Sequence, residues 1–143
     1  MPNFTLTDSQ QQALLDAARQ ARGRAYAPYS NYPVGAAVLD ESGRIHAGCN
    51  VENAAYPEGL CAEAAALSAM VLAGGRQARA VLVVGSGDDG NWITPCGGCR
   101  QKLREFGAPE LIIQSASALA LGPRHTLAQL LPESFGPGHI KAS

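Results

Sequence analysis

The chain has 143 residues, 46% of them hydrophobic, and its 11 Lys+Arg against 12 Asp+Glu leave a formal charge of −1. That size and apolar content suit a single domain spanning 1–143 with a full core, and the balanced charge with no basic run argues against nucleic acid, which calls for a clustered basic face. Residues 1–12 are polar without a basic start, and no apolar stretch is long enough for a membrane span, so neither a secretory signal nor a membrane partner is expected and a cytoplasmic location is the default.

Thr7-Asp8-Ser9 offers N-cap oxygens, and Leu14, Leu15, Ala18 and Ala21 recur at helical spacing, which predicts a first amphipathic helix to about Arg24. Residues 26–33 break it: two prolines among three tyrosines make a rigid aromatic loop that can wall a pocket. Val34 to Leu39, the turn Asp40-Glu41-Ser42-Gly43 and Arg44 to Asn50 read as a β-hairpin. Asn50-Val51-Glu52-Asn53 then stands at a strand end, where side chains can be aimed at a ligand while the sheet stays fixed.

From Ala64 to Gly75 no residue is charged and no polar face remains, which predicts a buried helix ended by Gly74-Gly75. Ala80 to Val84 reads as a strand covered on both faces, and Gly85 to Gly90 as a turn-rich loop. Thr94 as N-cap and Pro95 at the first helical position predict a third helix through Phe106, stopped by Gly107. Leu111 to Ile113 reads as a further buried strand, and Leu127, Leu130 and Leu131 as a short helix before the tail at Pro132. This order predicts an α/β fold: a three-layer α/β/α sandwich on a mixed sheet, with a hairpin followed by parallel strands joined by crossovers.

Four cysteines in a chain without an export signal read as thiols or metal ligands rather than as a disulfide framework. Cys96 and Cys99 are spaced to share one face of a first helical turn, and Cys61 opens the other helix. Should the two helix N-termini meet, their dipoles and free N–H groups favour thiolate, the form that binds metal. Three thiolates on one Zn²⁺ leave a tetrahedral position open for water. Glu63, two residues after Cys61 on a buried helix, must be paired, hydrogen-bonded or functional, and it can reach that water without being a ligand. Such an arrangement suits hydrolytic deamination, with the carboxylate as general acid and base.

Blander readings compete. Cys-x-x-Cys after Trp92 could be a redox pair, but that leaves Cys61 and Glu63 without a task. A closed structural site of four cysteines would recruit Cys49, which otherwise reads as a core residue of its strand. Tyr29, Tyr32 and Tyr56 can serve as packing, Asn50 and Glu52 as turn residues, and Phe135 as a C-terminal anchor. His46, His125 and His139 stand in no ligand spacing and read as surface residues.

Cys61-Ala62-Glu63 with Pro95-Cys96-Gly97-Gly98-Cys99-Arg100-Gln101 resembles the signature of the small, homotetrameric, zinc-dependent cytidine deaminases. The likeness continues through Pro28-Tyr29-Ser30, 33–37, 48–54 and Ser134-Phe135-Gly136-Pro137. It implies the cytidine deaminase-like sandwich with a mixed sheet of the five-stranded type, and one Zn²⁺ per chain on Cys61, Cys96 and Cys99 with Glu63 as general acid and base. It further implies that Asn50 and Glu52 hold the ribose hydroxyls, that Tyr32 replaces a phenylalanine near the base, and that the Ala62 and Cys96 backbone faces the pyrimidine. Residues matching Ala54, Tyr56 and Phe135 reach a neighbouring subunit's site in the family's homotetramer.

The implied reaction converts cytidine and 2′-deoxycytidine to uridine and deoxyuridine plus ammonia, in pyrimidine salvage. A runner-up is deamination of another cytosine nucleoside of the blasticidin type. The chain departs from the family at Ala64, where an Arg often offsets thiolate charge; Arg100 is the candidate replacement.

Overall fold

The computed structural model describes residues 4–85 and 91–140, so most of the predicted loop ending at Gly90 lies outside the described residues. Helix α1 (Asp8–Arg22) starts at Thr7, whose hydroxyl accepts from the Gln10 amide while the Gln10 side chain returns to the Thr7 N–H. Strands β1 (Gly35–Asp40) and β2 (Ile45–Cys49) form the predicted hairpin, and α2 (Ala62–Leu72) and β3 (Ala78–Val84) follow. Helix α3 (Gly97–Phe106), β4 (Ile112–Ala116), β5 (Leu121–Thr126) and α4 (Leu127–Leu130) complete the order.

The mixed sheet runs β2-β1-β3-β4-β5, with only β3 and β4 parallel. The five strands agree with the type implied by resemblance; β5 was not read from the sequence pattern. Its Gly122 and Pro123 are poor strand residues, tolerated because β5 is an exposed edge.

Alternation along the strands divides the core in two. Ala37, Leu39, Leu82 and Val84 point to Leu14, Leu15 and Ala18 of α1, whereas Ala36, Val38, Val81 and Val83 point to Ala66, Leu67 and Met70 of α2 and Leu103 of α3. Strand β1 is buried along its whole length because both faces are covered.

The hairpin turn is braced by Asp40. One of its carboxylate oxygens accepts from the Ser42 amide, the Ser42 hydroxyl and the Arg44 amide, at 2.7–3.0 Å. The other lies 2.7 Å from Nε2 of His46. His46 is therefore no surface residue: its side chain is 9% exposed and partners a carboxylate that is fully buried. The sequence pattern hid this because both residues sit at strand ends, where exposure is the ordinary case.

Two further expectations change. Helix α2 is not buried all round: Ser68 and Leu72 face outward, Leu72 being 90% exposed. The uncharged outer face has no cover from the described residues of its own chain. Helix α3 begins with Cys96, not Thr94, as its N-cap, since Cys96 keeps an extended backbone after buried Pro95. No described helix is long and apolar enough to cross a membrane.

Candidate metal centre and active site

Strand order brings the predicted ligands together. Both β2 and β3 run antiparallel to β1, so they are parallel to one another, and Cys49 at the end of β2 and Val84 at the end of β3 both pair with Gly35. The segments leaving those two ends open α2 and α3 at the same edge of the sheet, and both helices lie on the same face. Carboxyl ends of strands followed by helix N-termini are the usual place for a ligand.

Gly48 sets the height of α2 above the sheet. A Cβ there would lie 2.4 Å from the Ala66 nitrogen and 2.6 Å from the Ala62 oxygen, so only glycine lets the first turn of α2 settle onto β2. That turn carries Glu63 and follows Cys61 directly.

Cys61 and Cys96 occupy equivalent positions as the N-caps of α2 and α3. Their sulfurs are 4.0 Å apart, and with the Cys99 sulfur they form a group whose members all lie within 4.8 Å of one another. Thiolates at about 2.3 Å on a tetrahedral zinc stand roughly 3.8 Å apart, close to the Cys61–Cys96 spacing, so a small inward movement of the sulfurs would let all three hold that ion. Cys49 is not in the group, which disfavours the closed four-cysteine site. All four cysteines are free thiols.

Burial pushes the Cys99 thiol up, helped by the nearby Glu63 carboxylate and the other two cysteines, and burial also raises Cys61. Cys96 is lowered, chiefly by a hydrogen bond from the Cys99 amide. Such thiols bind metal by giving up protons.

Glu63 is 5% exposed, and burial raises its carboxyl above the usual carboxylate range. It lines a cavity of about 420 Å³ together with Cys61, Ala62 and Cys96, and this cavity also contains Asn50, Glu52 and Tyr56. A volume in the small-ligand range of roughly 300–1,000 Å³ is thus lined by two of the three clustered cysteines, by Glu63 and by the strand-end polar residues.

Asn50 is held by its own fold: its Oδ1 accepts from the Val34 amide at 2.8 Å and its Nδ2 donates to the Tyr32 carbonyl at 3.0 Å. Glu52 accepts from the Tyr29 and Ser30 amides at 2.9 and 3.1 Å, and from the Ser30 hydroxyl. Arg100, half-buried, donates to the carbonyls of Pro95 and Leu130, each at 2.7 Å, and to the Thr94 hydroxyl at 2.8 Å. It ties the segment before Cys96 to α4.

Four candidates do not line the cavity: Cys99, which is buried, and Tyr32, Ala54 and Phe135. Tyr32 contributes its carbonyl to Asn50, and Ala54 is exposed. Phe135 is 57% exposed and stacks on His139 with ring centroids 5.2 Å apart. Conversely, Val34, Ile93 and Thr94 line the cavity although the sequence reading gave them no part in the site. Adjacency to the cysteine pair could have flagged Ile93 and Thr94, and the matched stretch 33–37 could have flagged Val34.

The family described as the cytidine and deoxycytidylate deaminase zinc-binding region matches residues 8–115. Cytidine deaminase of Mycobacterium tuberculosis is 44% identical over 119 residues, covering 83% of this chain and 84% of that protein. That of Sporosarcina psychrophila is 40% identical over 122 residues, covering 85% and 88%. The crystal structure of cytidine deaminase from Burkholderia pseudomallei superimposes with a TM-score of 0.79 at 42% identity, covering 87% of this chain and 98% of that one. Sequence likeness across most of the chain, a shared fold and three clustered sulfurs beside a buried carboxylate agree: this chain belongs to the zinc-binding cytidine and deoxycytidylate deaminase family.

Proposed function

We propose that the protein hydrolyses cytidine and 2′-deoxycytidine to uridine and deoxyuridine with release of ammonia, as a step of pyrimidine salvage in the cytoplasm. The observation that carries this reading is the position of Glu63, buried in the lining of one cavity together with Cys61 and Cys96 of the sulfur cluster and with Asn50 and Glu52. Cys61, Cys96 and Cys99 would hold one zinc, which supplies Lewis-acid activation of water for attack at the amino-bearing ring carbon.

The remaining work falls to the chain's own groups. Glu63, its carboxyl raised by burial, takes a proton from the water and passes it to the ring nitrogen, then carries the proton of the newly added hydroxyl to the amine as the carbon–nitrogen bond breaks. Ala62 and Cys96 place backbone along the base with Tyr32 nearby, and the Tyr32 carbonyl also accepts from Asn50. Asn50 and Glu52 take the sugar hydroxyls: Glu52, lowered chiefly by the Ser30 hydroxyl, stays ionised and accepts, while Asn50 retains a spare donor.

The family includes deaminases of nucleosides and of nucleotides, and charge favours the nucleoside here. The cavity wall contains Glu52 and Glu63 and no lysine or arginine among its described residues, so a phosphate would meet like charge with nothing to pair it. Turnover followed by loss of cytosine ultraviolet absorbance tests both points. Cytidine is expected to react and deoxycytidylate to be at least tenfold poorer; preference for the nucleotide refutes the assignment.

The active form is proposed to be a homotetramer with sites shared between subunits, Ala54, Tyr56 and Phe135 each facing a neighbour. Support comes from the exposure of large apolar groups, Tyr56 at the site at 76% and Phe135 away from it at 57%, and from the uncovered outer face of α2. Light scattering that returns a monomer contradicts this.

A further inference from the structure

The Glu52 carboxylate is held more closely than a surface carboxylate ordinarily is. One oxygen accepts from the amides of Tyr29 and Ser30, and the other from the Ser30 hydroxyl. That hydroxyl has a single proton, and its oxygen also accepts from the Tyr32 amide at 3.0 Å, which turns the proton toward Glu52. The loop is itself fixed: Asn31 sits at φ 54°, its amide donates to the Ala27 carbonyl, and Tyr26 exchanges backbone bonds with Asn50 and Glu52.

Glu52 also stands between two open spaces. On one side is the catalytic cavity; on the other is a second cavity of about 410 Å³ lined by Tyr29, Ser30, Asn53 and Tyr56. Without the Ser30 hydroxyl the second oxygen of a carboxylate so placed could turn either way; that hydroxyl is the side-chain contact that fixes it.

We propose that Ser30 is a positioning residue for substrate binding: its hydroxyl locks Glu52 in the rotamer that accepts a hydrogen bond from the nucleoside's sugar. This rests on the deaminase reading above and adds to it a residue that never touches substrate. Its action is confined to the sugar, so losing it leaves the chemical step at the ring intact.

The test compares wild type, Ser30→Ala and Ser30→Thr on cytidine and on 2′,3′-dideoxycytidine, which lacks the 2′ and 3′ hydroxyls of the sugar. Ser30→Ala is expected to raise KM for cytidine about tenfold, the scale of a lost charge-assisted hydrogen bond. It should leave kcat within about twofold and change neither constant for the dideoxynucleoside by more than that, and Ser30→Thr, which keeps a hydroxyl, is expected to restore binding. An equal loss on both nucleosides, or a fall in kcat at constant KM, overturns the proposal.

A second arm follows the Glu52 carboxyl carbon by NMR through a pH titration. Its midpoint is expected to rise in Ser30→Ala; an unchanged midpoint overturns the contact whatever the kinetics. A wild type inert toward both nucleosides overturns the deaminase reading and the sugar's part in this proposal, and the titration then decides the Ser30–Glu52 contact by itself.

Discussion

Gly48→Ala adds one methyl group, and the structure states what that methyl meets. Besides the Ala66 nitrogen at 2.4 Å and the Ala62 oxygen at 2.6 Å, the Ala65 Cβ lies 2.7 Å away. Two of the three are backbone atoms of α2, so no rotamer change relieves the clash. To reach ordinary contact near 3.5 Å the first turn of α2 must lift by about 1 Å from β2. Overpacking of this kind costs about 1–3 kcal/mol of stability.

The larger consequence is at the metal. Cys61 moves with α2 while Cys96 and Cys99 stay with α3, and a zinc site tolerates only about 0.2 Å in its ligand distances. We therefore expect Gly48→Ala to lower the melting temperature by several degrees, to weaken zinc by at least tenfold in competition with a chromophoric chelator, and to cut cytidine turnover at saturating zinc by about a hundredfold. A variant with normal zinc affinity and normal turnover would refute the claim that the close approach at Gly48 sets the site, even if its stability fell.

Glu63→Ala should retain zinc, measured by metal analysis, and lose about 10²–10⁴ in kcat, because only the proton carrier is gone; retained turnover excludes it as acid and base. Asp40→Asn should cost about 3 kcal/mol near neutral pH by denaturant unfolding, since His46 and the turn donors lose a buried charge. Burial alone would raise the Asp40 carboxyl, but donors from His46, Ser42 and Arg44 outweigh it and hold it well below the usual range. The stability it gives is thus complete above its unfolded value of about 4 and is lost as pH falls from there, so wild type and variant should converge in acid; parallel curves refute the assignment. Arg100→Gln should slow turnover several-fold, because the segment before Cys96 loses its tie to Leu130; unchanged kinetics removes Arg100 from any role at the site.

The helices, the hairpin and the central strands were legible because their signals are local: an N-cap at Thr7, alternating apolar positions, a turn at Asp40–Gly43. What escaped depends on partners remote in sequence. Strand β5 carries a glycine and a proline and forms only because β4 offers an edge; Trp92 packs over Gly122 where a side chain would clash. His46 became a core partner through Asp40, six residues away across a tight turn. The outer face of α2 read as buried since apolarity records that a surface will be covered, not whether its own chain covers it.

The site itself shows the same division between composition and topology. Three thiols and a carboxylate could be named from spacing, and spacing also put Cys96 and Cys99 on one turn. Their meeting with Cys61, 35 residues earlier, follows instead from β1 lying between β2 and β3 and antiparallel to both. With β1 on the outside, or parallel to either neighbour, the two helices would open at different places and the same cysteines would be scattered. The short hairpin through Asp40–Gly43 forces that arrangement on β1 and β2, and the buried Asp40 carboxylate braces the hairpin. The turn at one end of the sheet thereby helps determine that a metal can be held at the other.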